Sequence, residues 1–376
     1  MKAVDLKIYA NEIELAARQQ IMRSVESPAF EGAKIRIMPD VHAGKGSVIG
    51  FTAHVTNGRI IPNVVGVDIG CGMLIASLGK VNIDLVQLDR FIRKKIPSGM
   101  NVHPPGETDA YIDEDYLRTQ FSCGEYLQNV DRLVRSVGTL GGGNHFIEID
   151  VDEEGNKYLI VHSGSRNLGK QVAEYYQQFA IETCVANVPD DLAYLEGESA
   201  FDYSCDMIEC IDYATRNRTK IAARICEHLG LDYGTASWEQ VIHNYVSYHP
   251  SIGTIIRKGA ISAQKGETVL IPLNMQQGCI LGKGKGNADW NYSAPHGAGR
   301  VCSRRQAFST LSMDEFKERM EGIYSTSVCR NTLDESPMAY KDPQYILDVI
   351  DETVADIKML RPIYNFKAYE GRPKRY

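Results

Sequence analysis

Side chains of the types that bind metal ions occur along most of this chain, and each lies in a glycine-rich or turn-like segment. These segments are Gly-Val-Asp-Ile-Gly-Cys-Gly-Met at 66–73, Gly-Gly-Gly-Asn-His at 141–145, His-Ser-Gly-Ser-Arg at 162–166, His-Asn at 243–244 and His-Gly-Ala-Gly-Arg at 296–300. Glycine allows positive φ angles and a close approach of the backbone to a ligand. Because the segments are spread over the sequence, we predict that residues 1–376 form a single domain around one metal-centred active site.

The residues of these segments predict two neighbouring metal sites. Asp68 and Cys71 are three residues apart, and a glycine flanks the cysteine on either side, so a carboxylate and a thiolate can converge on one point. A thiolate can bridge two divalent ions, and the neutral imidazoles of His145, His162 and His243 can complete two sites with three or four ligands each. Thiolate and imidazole ligands suit Zn²⁺ as readily as Mn²⁺.

Composition limits how the chain can interact with nucleic acid. Its net charge of −7 argues against broad, non-specific adhesion, so a nucleic-acid-binding face would have to be a local basic patch. The candidates for this patch are Lys283, Lys285, Arg304, Arg305 and the Arg-Pro-Lys-Arg tail at 372–375.

Neither a membrane nor an oxidising compartment is indicated. No run approaches the roughly 18 apolar residues of a membrane span, and the first residues contain no signal-peptide core. The nine cysteines show no paired C-x-x-C spacing, so neither a disulfide framework nor a zinc finger is predicted. A reducing compartment also suits a metal-binding thiolate, and we expect a cytoplasmic protein without membrane contacts.

Hydrophobic periodicity predicts an α+β fold. Strands are predicted over about 34–38, 48–56, 73–78, 145–150, 157–162, 268–272, 278–281 and 359–367, and helices over about 84–95, 112–137, 168–186, 203–228, 313–322 and 343–353. The elements do not alternate as in a doubly wound sheet, so we expect antiparallel or mixed sheets. In the longest helix we predict a core-facing stripe of Ile208, Ile211, Tyr213, Ile221 and Ile225.

Eight motifs follow one another over nearly the whole chain. They are Met-Pro-Asp-Val-His-Ala-Gly-Lys-Gly (38–46), Gly-Val-Asp-Ile-Gly-Cys-Gly-Met (66–73), Gly-Thr-Leu-Gly-Gly-Gly-Asn-His-Phe-Ile-Glu (138–148), His-Ser-Gly-Ser-Arg (162–166), His-Asn-Tyr (243–245), Arg-Lys-Gly-Ala (257–260), His-Gly-Ala-Gly-Arg (296–300) and Asp-Glu-Ser-Pro-Met-Ala-Tyr-Lys (334–341). Together they resemble the RtcB family of RNA ligases. The resemblance implies an RtcB-like fold, with mixed or antiparallel sheets in a layered core, flanking helices and a metal site in a cleft.

The resemblance also implies a reaction. A GTP- and Mn²⁺-dependent RNA ligase would join RNA 3′-phosphate or 2′,3′-cyclic phosphate ends to 5′-hydroxyl ends, in RNA repair or tRNA splicing. His296 would be the catalytic nucleophile, and the intermediates would be histidine-GMP and RNA-3′-pp-5′-G. RNA is the expected partner, and the sequence identifies no activating protein. By resemblance, Asp68, Cys71 and His145 would hold one Mn²⁺, and Cys71, His162 and His243 the second.

Residues for the guanine nucleotide are likewise implied by the resemblance. Glu148 would accept hydrogen bonds from the guanine edge, Lys367 would contact the guanine, and Tyr340 would stack or hydrogen-bond beside it. Arg300 can contact a phosphate with two parallel hydrogen bonds. The complete predicted nucleotide set is Asn144, Glu148, Asn244, Asn274, Met275, His296, Gly297, Ala298, Gly299, Arg300, Tyr340 and Lys367.

Two segments depart from the family pattern. Where the family shows Pro-Gly-Ser-Met-Gly, this chain has Ile-Pro-Leu-Asn-Met-Gln-Gln-Gly at 271–278, and Ser-Ala-Pro at 293–295 replaces the usual Ser-Cys-Ser or Ser-Cys-His. The amides of Asn274 and Gln276 could replace the lost serine contacts. These departures and the modest length indicate a divergent, shorter branch.

Two other functions are compatible with the residues. A dinuclear metal-dependent phosphodiesterase acting on RNA ends would need the metal ligands but not His296. A non-catalytic RNA-binding or chaperone-like protein would need neither, and the complete ligand set argues against it. Covalent labelling by GTP distinguishes a ligase from a phosphodiesterase.

Overall fold

The computed structural model describes residues 2–234 and 236–368 of the chain. Every predicted strand is present within this part, most of them one or more residues longer than predicted. The strands are β1 (Asp5–Ile8), β2 (Lys34–His42), β3 (Ile49–Val55), β4 (Gly72–Gly79), β5 (Phe146–Val151), β6 (Lys157–Ser163), β7 (Trp238–Ile242), β8 (Asn244–His249), β9 (Gly253–Lys258), β10 (Ala260–Ser262), β11 (Thr268–Asn274), β12 (Gly278–Gly284), β13 (Ser293–Pro295) and β14 (Val354–Lys367).

The helices pack on the faces of the sheets, and two of them are much longer than the others. They are α1 (Leu15–Glu26), α2 (Pro62–Val65), α3 (Leu85–Lys95), α4 (Glu114–Thr119), α5 (Val130–Val134), α6 (Arg166–Thr183), α7 (Glu198–His228), α8 (Arg304–Thr310), α9 (Met313–Arg319) and α10 (Gln344–Ile350). In the part of the chain that the structure describes, no helix is long and apolar enough to cross a membrane.

Two large sheets form the framework. One sheet has the strand order β11-β12-β14-β5-β6-β4-β7, and the other has the order β1-β2-β3-β9-β8. Strands β10 and β13 form a small antiparallel pair. Strand β1 pairs in parallel with β2, whereas the other pairings in the two large sheets are antiparallel. The predicted α+β class with mixed sheets is confirmed.

The larger sheet is buried on both faces. Successive residues of a strand point to opposite faces, and in β4 Leu74 packs with Ile92 of α3 and Ile221 of α7. Its neighbour Ile75 packs on the other side, in the same apolar cluster as Ile350 of α10. The sheet is therefore the middle layer of the predicted layered core, with helices outside it.

The prediction of a single helix over 112–137 is wrong. This segment contains α4, a short 3₁₀ turn at Gly124–Tyr126 and α5. The carboxylate of Asp206 in α7 accepts hydrogen bonds from the backbone N–H groups of Ser122 (2.7 Å) and Cys123 (3.1 Å), which pulls the chain out of a helical path. Asn129 then adopts a left-handed φ of 54° immediately before α5. Long-range contacts with α7 thus outweigh local helical periodicity.

The predicted core stripe of α7 is correct except at one position. Tyr213, Ile221 and Ile225 are fully buried and Ile211 is partly buried, but Ile208 is 54% exposed. The buried face passes instead through Met207 and Cys210, since the helix meets both α6 and the larger sheet. Ile208 is thereby turned to the outer side of the helix.

Candidate metal centre and adjoining cleft

The loop between α2 and β4 carries Cys71 and packs directly on two other elements. A Cβ at Gly70, whose φ is +71°, would lie 3.0 Å from the Cα of Ile211 in α7. A Cβ at Gly72 would lie 2.4 Å from the carbonyl oxygen of Val241 in β7. The two glycines therefore allow a close approach that places the cysteine between α7 and β7.

Three histidines from different strands of the larger sheet and its connections face Cys71. The Sγ atom lies 3.4 Å from Nε2 of His145 and 3.4 Å from Nε2 of His162. Oδ2 of Asp68 lies 3.3 Å from Nε2 of His145. The donor atoms fall into two groups, each within 4.8 Å: Asp68, Cys71 and His145, and Cys71, His162 and His243. The structure thus brings all five predicted ligands together, with the cysteine in both groups.

Burial shifts the pKa values of the ligand side chains, and the imidazoles and the carboxylate are held in the forms that bind cations. Burial lowers the pKa of His162 and of His243 well below the usual range, so both imidazoles are neutral and able to bind a metal. Burial raises the pKa of the Cys71 thiol, and the carboxylate of Asp68 raises it further. Burial is the largest influence on the pKa of Asp68 and opposes its ionisation, but the hydrogen bond and charge interaction with His145, the charge of Arg166 and the contact with Cys71 together outweigh it and lower the pKa of the carboxyl.

The donor set fits a pair of divalent ions. Within each of the two groups the imidazole, thiol and carboxylate donor atoms lie within 4.8 Å of one another, as the ligands of one ion do. A divalent cation would favour the thiolate form of Cys71 and would neutralise the charge that burial disfavours. The chemistry of the five donors is compatible with Mn²⁺ and with Zn²⁺.

His296 lies at the start of a tight glycine turn and is oriented by a carboxylate. Its Nδ1 donates a hydrogen bond of 2.7 Å to Oδ2 of Asp40, which is fully buried at the end of β2. The backbone N–H of His296 donates to the same oxygen. Gly299 has a φ of +77°, and a Cβ there would lie 2.6 Å from the carbonyl oxygen of Asp40. The hydrogen bond at Nδ1 leaves the Nε2 lone pair of His296 available.

Asp40 was not among the predicted site residues. It lies in the Met-Pro-Asp-Val-His motif at 38–42, so its position in that motif was the available signal. Nothing in the local sequence indicates that β2 runs beside residue 296.

A cleft of about 1020 Å³ joins the metal-ligand cluster to His296. All of the predicted nucleotide residues line it, and four of the five predicted metal ligands do so as well. The ring centroids of His243 and His296 are 4.9 Å apart, so the candidate nucleophile is adjacent to the ligand cluster. The fifth ligand, His145, is reached through its contact with Cys71.

A buried carboxylate organises the cationic side of the cleft. Glu335 accepts hydrogen bonds of 2.6 Å from both Lys367 Nζ and the Tyr340 hydroxyl, and it forms ion pairs with Arg300 (3.3 Å) and Arg304 (2.8 Å). Glu335 was missed by sequence reasoning, although it belongs to the motif at 334–341. Lys367, Tyr340 and Arg300 therefore share one anchoring residue.

Glu148 lies on β5 at the floor of the cleft. Its Oε1 accepts a 2.5 Å hydrogen bond from Nδ2 of Asn365 on β14, and burial raises its pKa to about 7. Asp150, two residues along the same strand, and Cys279 of β12 lie behind it, and their donor atoms are within 4.8 Å of one another. Burial raises the pKa of Asp150 well above its usual range, so we assign the proton of this buried carboxyl pair to Asp150.

Of the candidate basic residues that the structure describes, Lys283, Lys285, Arg304 and Arg305, only Arg304 lines the cleft, so these four do not form one patch. The Arg304 guanidinium pairs with Asp334 and Glu335. Lys283 pairs with Glu239, 3.7 Å away on the outer surface, and Lys285 donates to the carbonyl of Asp351. Arg305 is exposed on α8. The tail at 372–375 lies outside the described residues.

Comparison with known families agrees with these motifs. The family model described as tRNA-splicing ligase RtcB matches residues 20–125 and 111–368. The chain belongs to the RtcB family. It is 32% identical to the RNA-splicing ligase RtcB of Escherichia coli (strain K12), over 93% of this chain and 94% of that protein. It is 29% identical to the tRNA-splicing ligase RtcB of Aeropyrum pernix, over 83% of each chain.

The segment that departs from the RtcB pattern forms the turn between β11 and β12. Oδ1 of Asn274 accepts hydrogen bonds of 3.0 Å from the backbone N–H groups of both Gln276 and Gln277, and its Nδ2 donates to the side chain of Gln277. The Asn274 amide thus stabilises its own turn, and the expected replacement of serine contacts to the nucleotide stays a prediction. Met275 packs in a buried cluster with Phe316.

Asn244 has a similar local role in this RtcB chain. Its Nδ2 donates to the carbonyl of Asp68 (3.0 Å), and its Oδ1 accepts from the N–H of Gly259 (2.9 Å). The amide therefore holds the metal-ligand loop, and its predicted contact to phosphate or ribose stays a prediction. Asn144, by contrast, is exposed at the cleft.

Proposed function

We propose that this protein is a GTP- and Mn²⁺-dependent RNA ligase that joins RNA 3′-phosphate or 2′,3′-cyclic phosphate ends to 5′-hydroxyl ends. One observation carries the proposal: His296, oriented by Asp40, lines the same cleft as a five-residue metal-ligand cluster. The relatives named RNA-splicing or tRNA-splicing ligase support RNA as the substrate. RNA repair and tRNA splicing both supply such ends.

The contact between His296 and Asp40 supports nucleophilic attack by Nε2. In the proposed step, Nε2 forms a bond to the α-phosphorus of GTP, and pyrophosphate leaves with the electrons of the broken bond. The imidazole then carries a positive charge, which the carboxylate of Asp40 stabilises at Nδ1–H. The product is a phosphoramidate between His296 and GMP.

Two further displacements complete the proposed reaction. The RNA 3′-phosphate attacks the histidine-bound GMP, which releases His296 and forms RNA-3′-pp-5′-G. The 5′-hydroxyl of the second RNA end then attacks the 3′-phosphate phosphorus and releases its proton to water, and GMP leaves with the electrons of the broken bond. A 2′,3′-cyclic phosphate must first be opened by water to a 3′-phosphate.

Asp68, Cys71 and His145 would hold one Mn²⁺, and Cys71, His162 and His243 the other. When bound, such ions neutralise charge on phosphoryl oxygens during displacement. The choice of Mn²⁺ rests on the family, since the donors suit Zn²⁺ equally.

The cleft residues support a guanine nucleotide as the co-substrate. Glu148 in its ionised form would accept from the N1 and N2 groups of guanine, and Lys367 and Tyr340, which both hydrogen-bond to Glu335, line the same cleft. Arg300, which pairs with Glu335, would contact a phosphate near the turn at 296–300.

Intact-mass analysis after incubation with GTP and Mn²⁺ tests the proposal. We expect a GMP adduct that is labile in acid and stable in alkali, as a phosphoramidate is, and that is absent from His296→Ala. Metal binding by His296→Ala should equal that of the wild type. No adduct, or an adduct that persists in His296→Ala, would contradict the proposal and favour a metal-dependent phosphodiesterase.

A further inference from the structure

Two adjacent buried side chains of α7 contact the segments that carry the metal ligands. Asn217 and Arg218 are both fully buried. Helix α7 contributes no ligand to either donor group, yet it packs against both β4 and β6. The side chains of Asn217 and Arg218 therefore lie between α7 and the segments that carry the metal ligands.

Arg218 links three of these segments. Its Nη1 donates to the carbonyl oxygens of Gly70 (2.9 Å) and Ser163 (2.8 Å), and its Nε donates to Oε1 of Gln240 (2.7 Å). Gly70 precedes Cys71 directly, and Ser163 follows His162 directly. Gln240 lies on β7, the strand that leads to the fourth ligand-bearing segment.

Asn217 reaches the segment that carries the fifth ligand, His145. Its Oδ1 accepts from the N–H groups of Gly138 (2.8 Å) and Thr139 (3.0 Å), and its Nδ2 donates to Oγ of Ser163 (2.9 Å). That hydroxyl donates to the carbonyl of Leu140 (2.8 Å). The same carbonyl lies 2.9 Å from Nδ1 of His145, which directs Nε2 of that ring to Cys71.

The guanidinium of Arg218 is buried and charged, but the groups that accept its hydrogen bonds within the described residues are uncharged. In the described ranges, its hydrogen-bond acceptors are carbonyl, amide and hydroxyl oxygens. A buried charge normally has a paired counter-charge. The ionisable groups that interact electrostatically with this guanidinium are Cys71 and Asp68, which are both metal ligands. Asp68 supplies a negative charge in the metal-free protein, and Cys71 adds a second one when it binds a metal as the thiolate.

We propose that Asn217 and Arg218 are positioning residues that hold the ligand-bearing segments at the spacing required by the two-metal centre before any metal binds. The inference rests on the two metal sites of the proposed function, but it concerns residues that touch neither metal nor substrate. Groups that orient metal ligands through hydrogen bonds typically change metal affinity by about 10- to 100-fold when they are replaced.

Metal titration of the full-length protein tests this inference. The metal-free protein is titrated with Co²⁺, whose thiolate-to-metal absorption reports bonding to Cys71, and Co²⁺ affinity is measured against a competing chelator. We expect Asn217→Ala and Arg218→Met to bind Co²⁺ about 10- to 100-fold more weakly than the wild type. Arg218→Lys retains the charge but not the planar fork, so its affinity should lie between those of Arg218→Met and the wild type.

Ile221→Ala is the matched control, because Ile221 is a fully buried residue of the same helix that packs in the apolar core. It should lower the thermal stability but leave Co²⁺ affinity and absorption unchanged. Folded Asn217→Ala and Arg218→Met with wild-type Co²⁺ affinity would overturn the inference. If Arg218→Met does not fold, Arg218→Lys and Asn217→Ala decide the test. Wild-type Co²⁺ affinity in both of these variants would also overturn the inference.

The experiment separates this inference from the proposed ligase reaction. Neither nucleotide nor RNA is present, so absence of a GMP adduct on His296 would leave the Co²⁺ result valid. Conversely, weak binding by the variants together with normal adduct formation by the wild type would support both. A wild-type protein that binds no Co²⁺ would overturn the inference and the two metal sites together.

Discussion

The Nζ atom of Lys367 lies 2.6 Å from Oε2 of Glu335, and both side chains are almost completely buried at the wall of the cleft. Arg300 and Arg304 pair with the same carboxylate. Asp334 pairs with Arg304 as well, so two negative charges face three positive charges. The excess positive charge is available to phosphate groups, in a protein whose overall net charge is −7.

Glu335→Gln should destabilise the protein strongly. Removing one partner of a buried ion pair costs about 3–5 kcal/mol in free energy of unfolding, because the remaining charge is buried without compensation. Urea unfolding measures the loss. Glu239→Gln, which breaks the exposed pair with Lys283, is the control and should cost about 0–1 kcal/mol. Equal effects of the two substitutions would show that Glu335 does not anchor this side of the cleft.

The same carboxylate predicts a loss of stability in acid. Burial opposes ionisation of Glu335, but Lys367, Arg304 and Arg300 outweigh it and lower its pKa to about 2, from 4.5 in the unfolded chain. A lowered pKa stabilises the folded state above the unfolded value, and this contribution is lost as the pH falls from 4.5 to about 2. Urea unfolding at several pH values should show this slope in the wild type and a weaker slope in Glu335→Gln.

Asp40→Asn should slow adduct formation without preventing metal binding. The amide can still accept from Nδ1 of His296, but it carries no charge to stabilise the imidazolium that forms on attack. We expect the rate of adduct formation to fall by about 10²- to 10⁴-fold, as for other carboxylates that orient a catalytic imidazole. Rapid-quench mass analysis measures the rate. Wild-type rates in Asp40→Asn would rule out this role.

Cys71→Ala should remove both metal sites, because the thiolate belongs to both donor groups. We expect lower metal content by elemental analysis and no GMP adduct. Cys226→Ala is a suitable control, since Cys226 is fully buried in the apolar core and far along α7 from the ligand loop. Full metal content in Cys71→Ala would refute the bridging assignment.

Guanine selection should depend on pH. Because burial raises the pKa of Glu148 to about 7, the ionised form that accepts from guanine becomes more populated as the pH rises from about 6 to 8. GTP affinity should increase over this range, whereas ATP affinity should not. Glu148→Gln should weaken GTP binding by about 1–3 kcal/mol and abolish the pH dependence. Comparable labelling by ATP and GTP in the wild type would remove Glu148 from the guanine-reading residues.

The local sequence was sufficient to predict those strands and loops whose geometry depends on residues close together in the chain. Strand periodicity predicted β5 and β6. The glycines around Cys71 indicated that the backbone there approaches another element closely, and in the structure these elements are α7 and β7. The resemblance to the RtcB family identified His296, in the motif at 296–300, as the candidate nucleophile. These features depend on spacing within a few residues, which the sequence records directly.

Tertiary structure decided which distant groups support that site. Asp40 and His296 are 256 positions apart, and Arg218 and Gly70 are 148 positions apart, so no local pattern could pair them. Asp206 likewise broke the helix predicted over 112–137 through contacts with Ser122 and Cys123, about 80 positions away. A buried hydrogen bond forms only where packing brings donor and acceptor together. The sequence alone therefore determined the candidate ligands and His296, whereas packing of α7 against the ligand segments and of β2 against His296 determined how these side chains are oriented.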